Sequence, residues 1–120
     1  MIEEEYVSFE TAKLAKGKGF EEPCKYFYAE VLDKAIKWEC VGDIISTKKN
    51  EFLCPTQSLL ARWLREKHNI HVCVGFCVIW RYVIIPITDK ITADWSTSKK
   101  DYSTYDDAME EGLKEALKLI

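Results

Sequence analysis

Four side chains able to bind a metal, His68, His71, Cys73 and Cys77, fall within ten positions of one another. Zinc is the first chemistry they could serve, and it needs four ligands converging tetrahedrally, usually as Cys-x2-4-Cys and His-x3-5-His pairs. His71, Cys73 and Cys77 would share one face of a strand, where alternate residues stand ~7 Å apart and Cys73 to Cys77 about twice that. One ion cannot bridge such a span. The expectation is no metal and no cofactor, with the thiols behaving as small apolar side chains.

Cys54 directly precedes Pro55, and a thiol at the positive end of a helix can be activated as a nucleophile. No base and no oxyanion site accompany it in the sequence, so it reads as a packed residue leading into the helix. Gly17-Lys18-Gly19 lacks the spacing of a phosphate-binding loop and follows a helix, not a strand. The carboxylates between positions 106 and 115 alternate with apolar residues and form a solvated face. These readings lean away from an enzyme. Nucleic-acid binding has one local argument: Lys48, Lys49, Arg62, Arg65 and Lys67 against Glu51 and Glu66 leave five minus two, a surplus of three positive charges. Tyr26, Tyr28 and Tyr82 could stack bases on an open sheet. The acidic N-terminal residues and last helix oppose it, and no helix-turn-helix or RNA-binding consensus is present.

The elements that would position these residues follow from periodicity and punctuation. Ser8 caps a first helix, which Gly17 and Gly19 stop. Glu21-Glu22-Pro23 is a turn, and Cys24 to Ala29 and Ala35 to Cys40 are two strands joined through Glu30 to Lys34. Gly42 to Asn50 is a polar connection. Pro55 suits a first helical turn. The helix it opens runs over Thr56 to His68, with Leu59, Leu60, Trp63 and Leu64 on one side and Ser58, Arg62 and Arg65 on the other, closed by Asn69 in a left-handed cap. His71 to Val78 alternates, with Val72, Val74, Phe76 and Val78 on one face and His71, Cys73, Gly75 and Cys77 on the other. Trp80 to Ile87 continues as strand, in a hairpin bending near Val78 to Trp80, and Lys90 to Ala93 is a short strand in a polar connection. Ser103 and Thr104 cap a last helix whose stripe runs from Tyr105 to Ile120. Gly112 lies on that stripe between Ala108 and Ala116, which predicts close approach of another backbone.

The chain of 120 residues has 17 basic and 20 acidic side chains, a net charge of −3 and 48% hydrophobic residues. That suits one globular domain over 1–120 with a sizeable core and no global field for nucleic acid or anionic lipid. Five cysteines, an odd number without paired spacing, suggest reduced thiols in the cytoplasm. No secretory signal is expected from Met1-Ile2-Glu3-Glu4-Glu5, and Arg81 within the most apolar run argues against a membrane span.

Three pieces of the chain carry a resemblance: Ser8 to Leu14, Pro55 to Ile70 and Tyr105 to Leu117. They resemble uncharacterised small proteins of Bacteroides-type bacteria, their prophages and their phages. The resemblance implies a bacterial or phage cytoplasmic setting and supplies no activity or catalytic residue.

The expected fold is α+β, in the order α-β-β-α-β-β-α, an antiparallel sheet with three helices mostly on one face. The expected function is a small non-enzymatic accessory protein that binds another macromolecule, by protein–protein interaction or self-association. The candidate interaction surface is His71, Cys73 and Cys77, on a sheet face that is either open to a partner or covered within the monomer, with Arg62 and Arg65. A small-ligand or nucleotide-binding or sequestering protein is the alternative, and a nucleic-acid-binding protein a weaker one. A flat apolar sheet face would favour the first, and a polar pocket with converging charges the second.

Overall fold

Ser8 starts the first helix as its spacing predicts. Its hydroxyl accepts from the Thr11 amide at 3.4 Å, and the helix α1 runs over Phe9–Gly17. It ends on Gly19, whose φ of 91° lets the Gly19 amide return to the Lys16 carbonyl and the Phe20 amide to that of Ala15. This six-to-one bond and buried Phe20 form a Schellman cap. In the computed structural model, which describes residues 4–32, 34–39, 49–77, 79–87, 96–98 and 100–120, the chain divides into two compact units, Met1–Thr56 and Gln57–Ile120.

The first unit joins α1 to strands β1 (Tyr26–Val31), β2 (Lys34–Glu39) and β3 (Glu51–Cys54) in an antiparallel sheet of order β2-β1-β3. Helix α1 covers the face bearing Tyr28 and Phe52, whose rings meet Phe9 edge-on at 5.7 and 5.3 Å. The chain leading into α1 is tied to the end of β3. Val7 donates to the Pro55 carbonyl at 3.0 Å, and the Tyr28 hydroxyl donates to the Val7 carbonyl at 2.8 Å. The expected five-residue connection from Glu30 to Lys34 is shorter, because Glu30 already pairs with Ala35 and Val31 with Lys34. Strand β3 is an addition to the expected order. Its buried Phe52, Leu53 and Cys54 are held by register with Tyr28, Phe27 and Tyr26.

The second unit begins with α2 (Gln57–His68). Pro55 lies ahead of the helix, fully buried, and Thr56 bridges Tyr6, so the first helical residue is Gln57 and not Thr56. Asn69 closes α2 at φ 55°, as expected. Strands β4 (Ile70–Cys77) and β5 (Ile79–Pro86) form the expected hairpin, and residue 78 lies outside the described residues. Strand β6 (Ser96–Thr97) pairs with the far edge of β5. The expected strand at Lys90 to Ala93, the greater part of the Gly42 to Asn50 connection and Cys40 at the end of the second strand also lie outside them.

Helix α3 (Tyr105–Lys118) is capped by the Thr104 hydroxyl, which accepts from the Asp107 amide at 3.1 Å. It buries Ala108, Met109, Gly112, Leu113, Ala116 and Leu117. Gly112 faces the sheet so closely that a Cβ there would sit 2.8 Å from Tyr82 Cβ and 3.0 Å from Val72 Cγ1. The close approach predicted from its position is real, but sheet side chains make it, not another backbone. Buried Gln57 ties α2 to α3, donating to the Asp106 carbonyl at 3.0 Å. The α+β class and the order α-β-β-α-β-β-α hold, with β3 and β6 as added short strands and the strands shared between two sheets.

Candidate functional site

His71 and Cys73 share a face of β4 with Gly75, opposite Ile85, Val83 and Arg81 of β5. The other face carries Ile70, Val72, Tyr82 and Ile84, which are buried. His71 and Cys73 are half-buried. Cys77 is the last residue of β4, and the structure describes its backbone only. Arg62 and Arg65 stand exposed on α2, where Arg62 Nε pairs with Glu66 Oε1 at 3.1 Å. They lie on the solvent side of the helix, away from buried Leu60 and Leu64, and do not join the His71 and Cys73 face. His68 lies against Trp63, ring centroids 4.7 Å apart. Cys54 is fully buried, its thiol directed at the Val7 carbonyl at 3.6 Å, so a packed residue describes it better than a nucleophile. Of the basic group, Lys49 is exposed in the first unit, Arg62, Arg65 and Lys67 are exposed in the second, and Lys48 lies outside the described residues.

Two features not read from the sequence stand out. The first is β2, the edge strand of its sheet, all six of whose residues are exposed. Glu30 donates its amide to the Asn50 carbonyl, on the β3 side of β1. Alternate residues of an antiparallel strand direct their backbone groups to the same neighbour, so Phe27, Ala29 and Val31 serve β2. Their partners Trp38, Ile36 and Lys34 are thereby satisfied, and Ala35, Lys37 and Glu39 direct amides and carbonyls outward. Trp38 is 53% exposed and Ile36 44%, on the face that also carries Val31. At the hairpin tip Leu32 is 92% exposed in a left-handed conformation, φ 51°, that favours asparagine or glycine. On the opposite face Lys37 Nζ rests 4.4 Å from the Tyr6 ring centroid and 4.9 Å from that of Tyr26.

The second feature is a half-open cleft of about 500 Å³ in the second unit, lined by Tyr82 and Ile84, by Ser96, Thr97, Lys100 and Tyr102, and by Glu111, Glu115 and Leu119. The segment after β6 stays on the edge of β5. Ser98 donates to the Tyr82 carbonyl at 3.1 Å, and Tyr102 and Trp80 exchange backbone hydrogen bonds at 3.0 and 3.2 Å. Glu111, Glu115 and Leu119 recur at four-residue spacing and so line one side of α3. The missing side chain of Gly112 leaves room for the Tyr82 side chain beneath α3. The Tyr82 and Tyr102 rings stand 6.2 Å apart. Burial, helped by Glu115, Tyr102 and Glu111, raises the Tyr82 phenol above its ordinary value. Burial, then Glu111 and Glu115, raises Tyr102 against a smaller opposing effect of Lys114. Glu111 pairs with Lys114 at 3.3 Å and Glu115 with Lys118 at 3.2 Å. Set against protein-family models, curated proteins and solved structures, the chain finds no match.

Proposed function

We propose that this is a small non-enzymatic accessory protein that works by binding another polypeptide, and that its docking element is the edge of β2 that pairs with no other strand among the described residues. The observation that carries this reading is a fully exposed edge strand bearing Ile36 and Trp38. An edge with outward amides and carbonyls is a template for strand addition, in which main-chain hydrogen bonds give affinity and alternate side chains give specificity. Leu32 supports the same reading, since a large apolar side chain at a strained tip serves no packing within its own unit. The resemblance to small Bacteroides-type and phage proteins supports a bacterial or phage cytoplasmic setting.

A second copy of the chain is the partner whose chemistry matches. Outward residues must face outward residues in a two-fold antiparallel pair, and one permitted register sets Lys37 opposite Glu39 twice, with Trp38 against its own copy. Charge pairs and an aromatic pair across strands each add roughly 0.2–1 kcal/mol. Sedimentation velocity from roughly 1 to 100 μM should show a concentration-dependent dimer. Lys37→Glu should weaken it by about tenfold, and Lys37→Glu with Glu39→Lys should restore it, because the two symmetric pairs reform with reversed sign. A wild-type chain that stays monomeric throughout, or a double swap no better than its parents, overturns the proposal.

A further inference from the structure

We infer that the N-terminal segment holds the β2 edge in check: Tyr6, together with Tyr26, draws Lys37 away from that edge and must release it before two copies can pair. The inference rests on the reading of β2 as a self-pairing edge and concerns how that pairing is limited. Lys37 stands opposite Tyr28 in the register of β1 with β2, and Tyr26, opposite Glu39, is its diagonal neighbour. A long side chain can reach such a diagonal position. It does so here, since Lys37 Nζ lies 4.9 Å from the Tyr26 ring centroid and 4.4 Å from that of Tyr6. The Tyr6 and Tyr26 rings meet edge to face, centroids 5.1 Å apart, so both attract the same ammonium. Tyr6 belongs to no strand. Its backbone bridge to Thr56, and the Val7 amide donating to the Pro55 carbonyl at 3.0 Å, bring its ring to the sheet.

Direction is what makes this contact matter. Tyr26 lies on β1, inward of β2, whereas the edge offered to a second copy lies on the outer side. In the two-fold register that sets Lys37 opposite Glu39 of the second copy, the ammonium has to reach outward. One side chain cannot do both. Cation–π attraction at an exposed site and a cross-strand charge pair are of similar size. Each copy brings one Lys37, so the symmetric pair loses the ring contacts twice. Releasing the two lysines therefore offsets much of what the charge pairs contribute, and pairing stays weak. Edge strands are often guarded by a lysine against unwanted pairing, and here the guard is itself held by a segment from outside the sheet.

The test compares wild type, Tyr6→Leu and Tyr6→Phe as full chains by sedimentation velocity. Tyr6→Leu removes the ring but keeps the backbone bridge, and should tighten the dimer about fivefold. Tyr6→Phe keeps a ring for the ammonium and should stay within about twofold of wild type. A merely structural Tyr6 predicts the opposite sign, because loosening the segment would weaken the dimer. NMR supplies a second readout. In the dilute wild-type chain the Lys37 ε-methylene protons, lying over two rings, should resonate upfield of an ordinary lysine. They should return toward the ordinary position in Tyr6→Leu and, in wild type, on dimer formation. That wild-type shift decides the matter even if Tyr6→Leu disturbs folding. A Kd unchanged or weakened in Tyr6→Leu, or an upfield shift that persists in the dimer, overturns the inference and leaves β2 as the docking edge. Wild-type and Tyr6→Leu chains that both stay monomeric overturn the reading of β2, and the inference with it.

Discussion

Leu32 combines two properties that local stability opposes: a φ of 51° and a large side chain left in water. Asparagine visits that conformation at lower cost, so Leu32→Asn should stabilise the chain by about 0.5–1 kcal/mol. A urea midpoint shifted upward at constant slope would show it, and a lowered midpoint would mean that Leu32 makes a contact that matters for folding. Only part of this scale can be read in a sequence. Asn69 announces its left-handed cap because asparagine is a common choice there, whereas leucine at a turn carries no signal. The alternation places His71 and Cys73 on one strand face, as the register of β4 with β5 has them, but alternation cannot report how far that face is covered. Tyr82 and Glu115 are 33 positions apart, 115 minus 82, and only the packing of α3 on β5 brings them to one cleft.

Helices α1, α2 and α3 are legible as elements because caps and stripes are local. Ser8, Thr104 and the buried set from Ala108 to Leu117 are where the pattern places them. Strand β3 is not legible in the same way. Phe52-Leu53-Cys54 is too short to show a period, and it becomes a strand only by pairing with β1. The close contact of α3 with its sheet makes a sharp expectation at Gly112. Alanine is the better helix former by about 1 kcal/mol. Its Cβ, however, would lie 2.8 Å from Tyr82 Cβ, an atom fixed to the strand backbone. Gly112→Ala should therefore destabilise, by roughly 1–3 kcal/mol. Val72→Ala in the same chain removes one of the clashing groups and should recover part of the loss. Thermal melting of the single and double variants decides it, and a Gly112→Ala chain as stable as wild type would show that the helix can move aside.

The six strands among the described residues divide between two sheets, each with its own helical cover, although the sequence suggests one sheet. Strand count and type follow from local pattern, but which strand joins which sheet depends on pairings between distant residues, such as Tyr26 with Cys54. Alkaline pH gives a test of the second unit within the whole chain. Tyr82 and Tyr102 are raised above 10.0, so above that pH the unfolded chain loses protons that the folded chain retains. Their stabilising contribution is complete below pH 10.0 and is lost as pH rises through the higher folded values. Denaturant midpoints should fall above pH 10.0, and less steeply in Tyr82→Phe than in wild type. Equal slopes would contradict the raised phenol. The first unit, meanwhile, closes on itself. Val7 receives the Tyr28 hydroxyl and the Cys54 thiol and donates to Pro55, while Tyr6 bridges Thr56. Completing the unit joins Tyr6 to Thr56, 56 minus 6 or fifty positions apart, and such closure is slow compared with forming the β1–β2 hairpin. The hairpin that carries the exposed strand can thus form early, and the knot of contacts at Val7 is the late step that latches the unit shut.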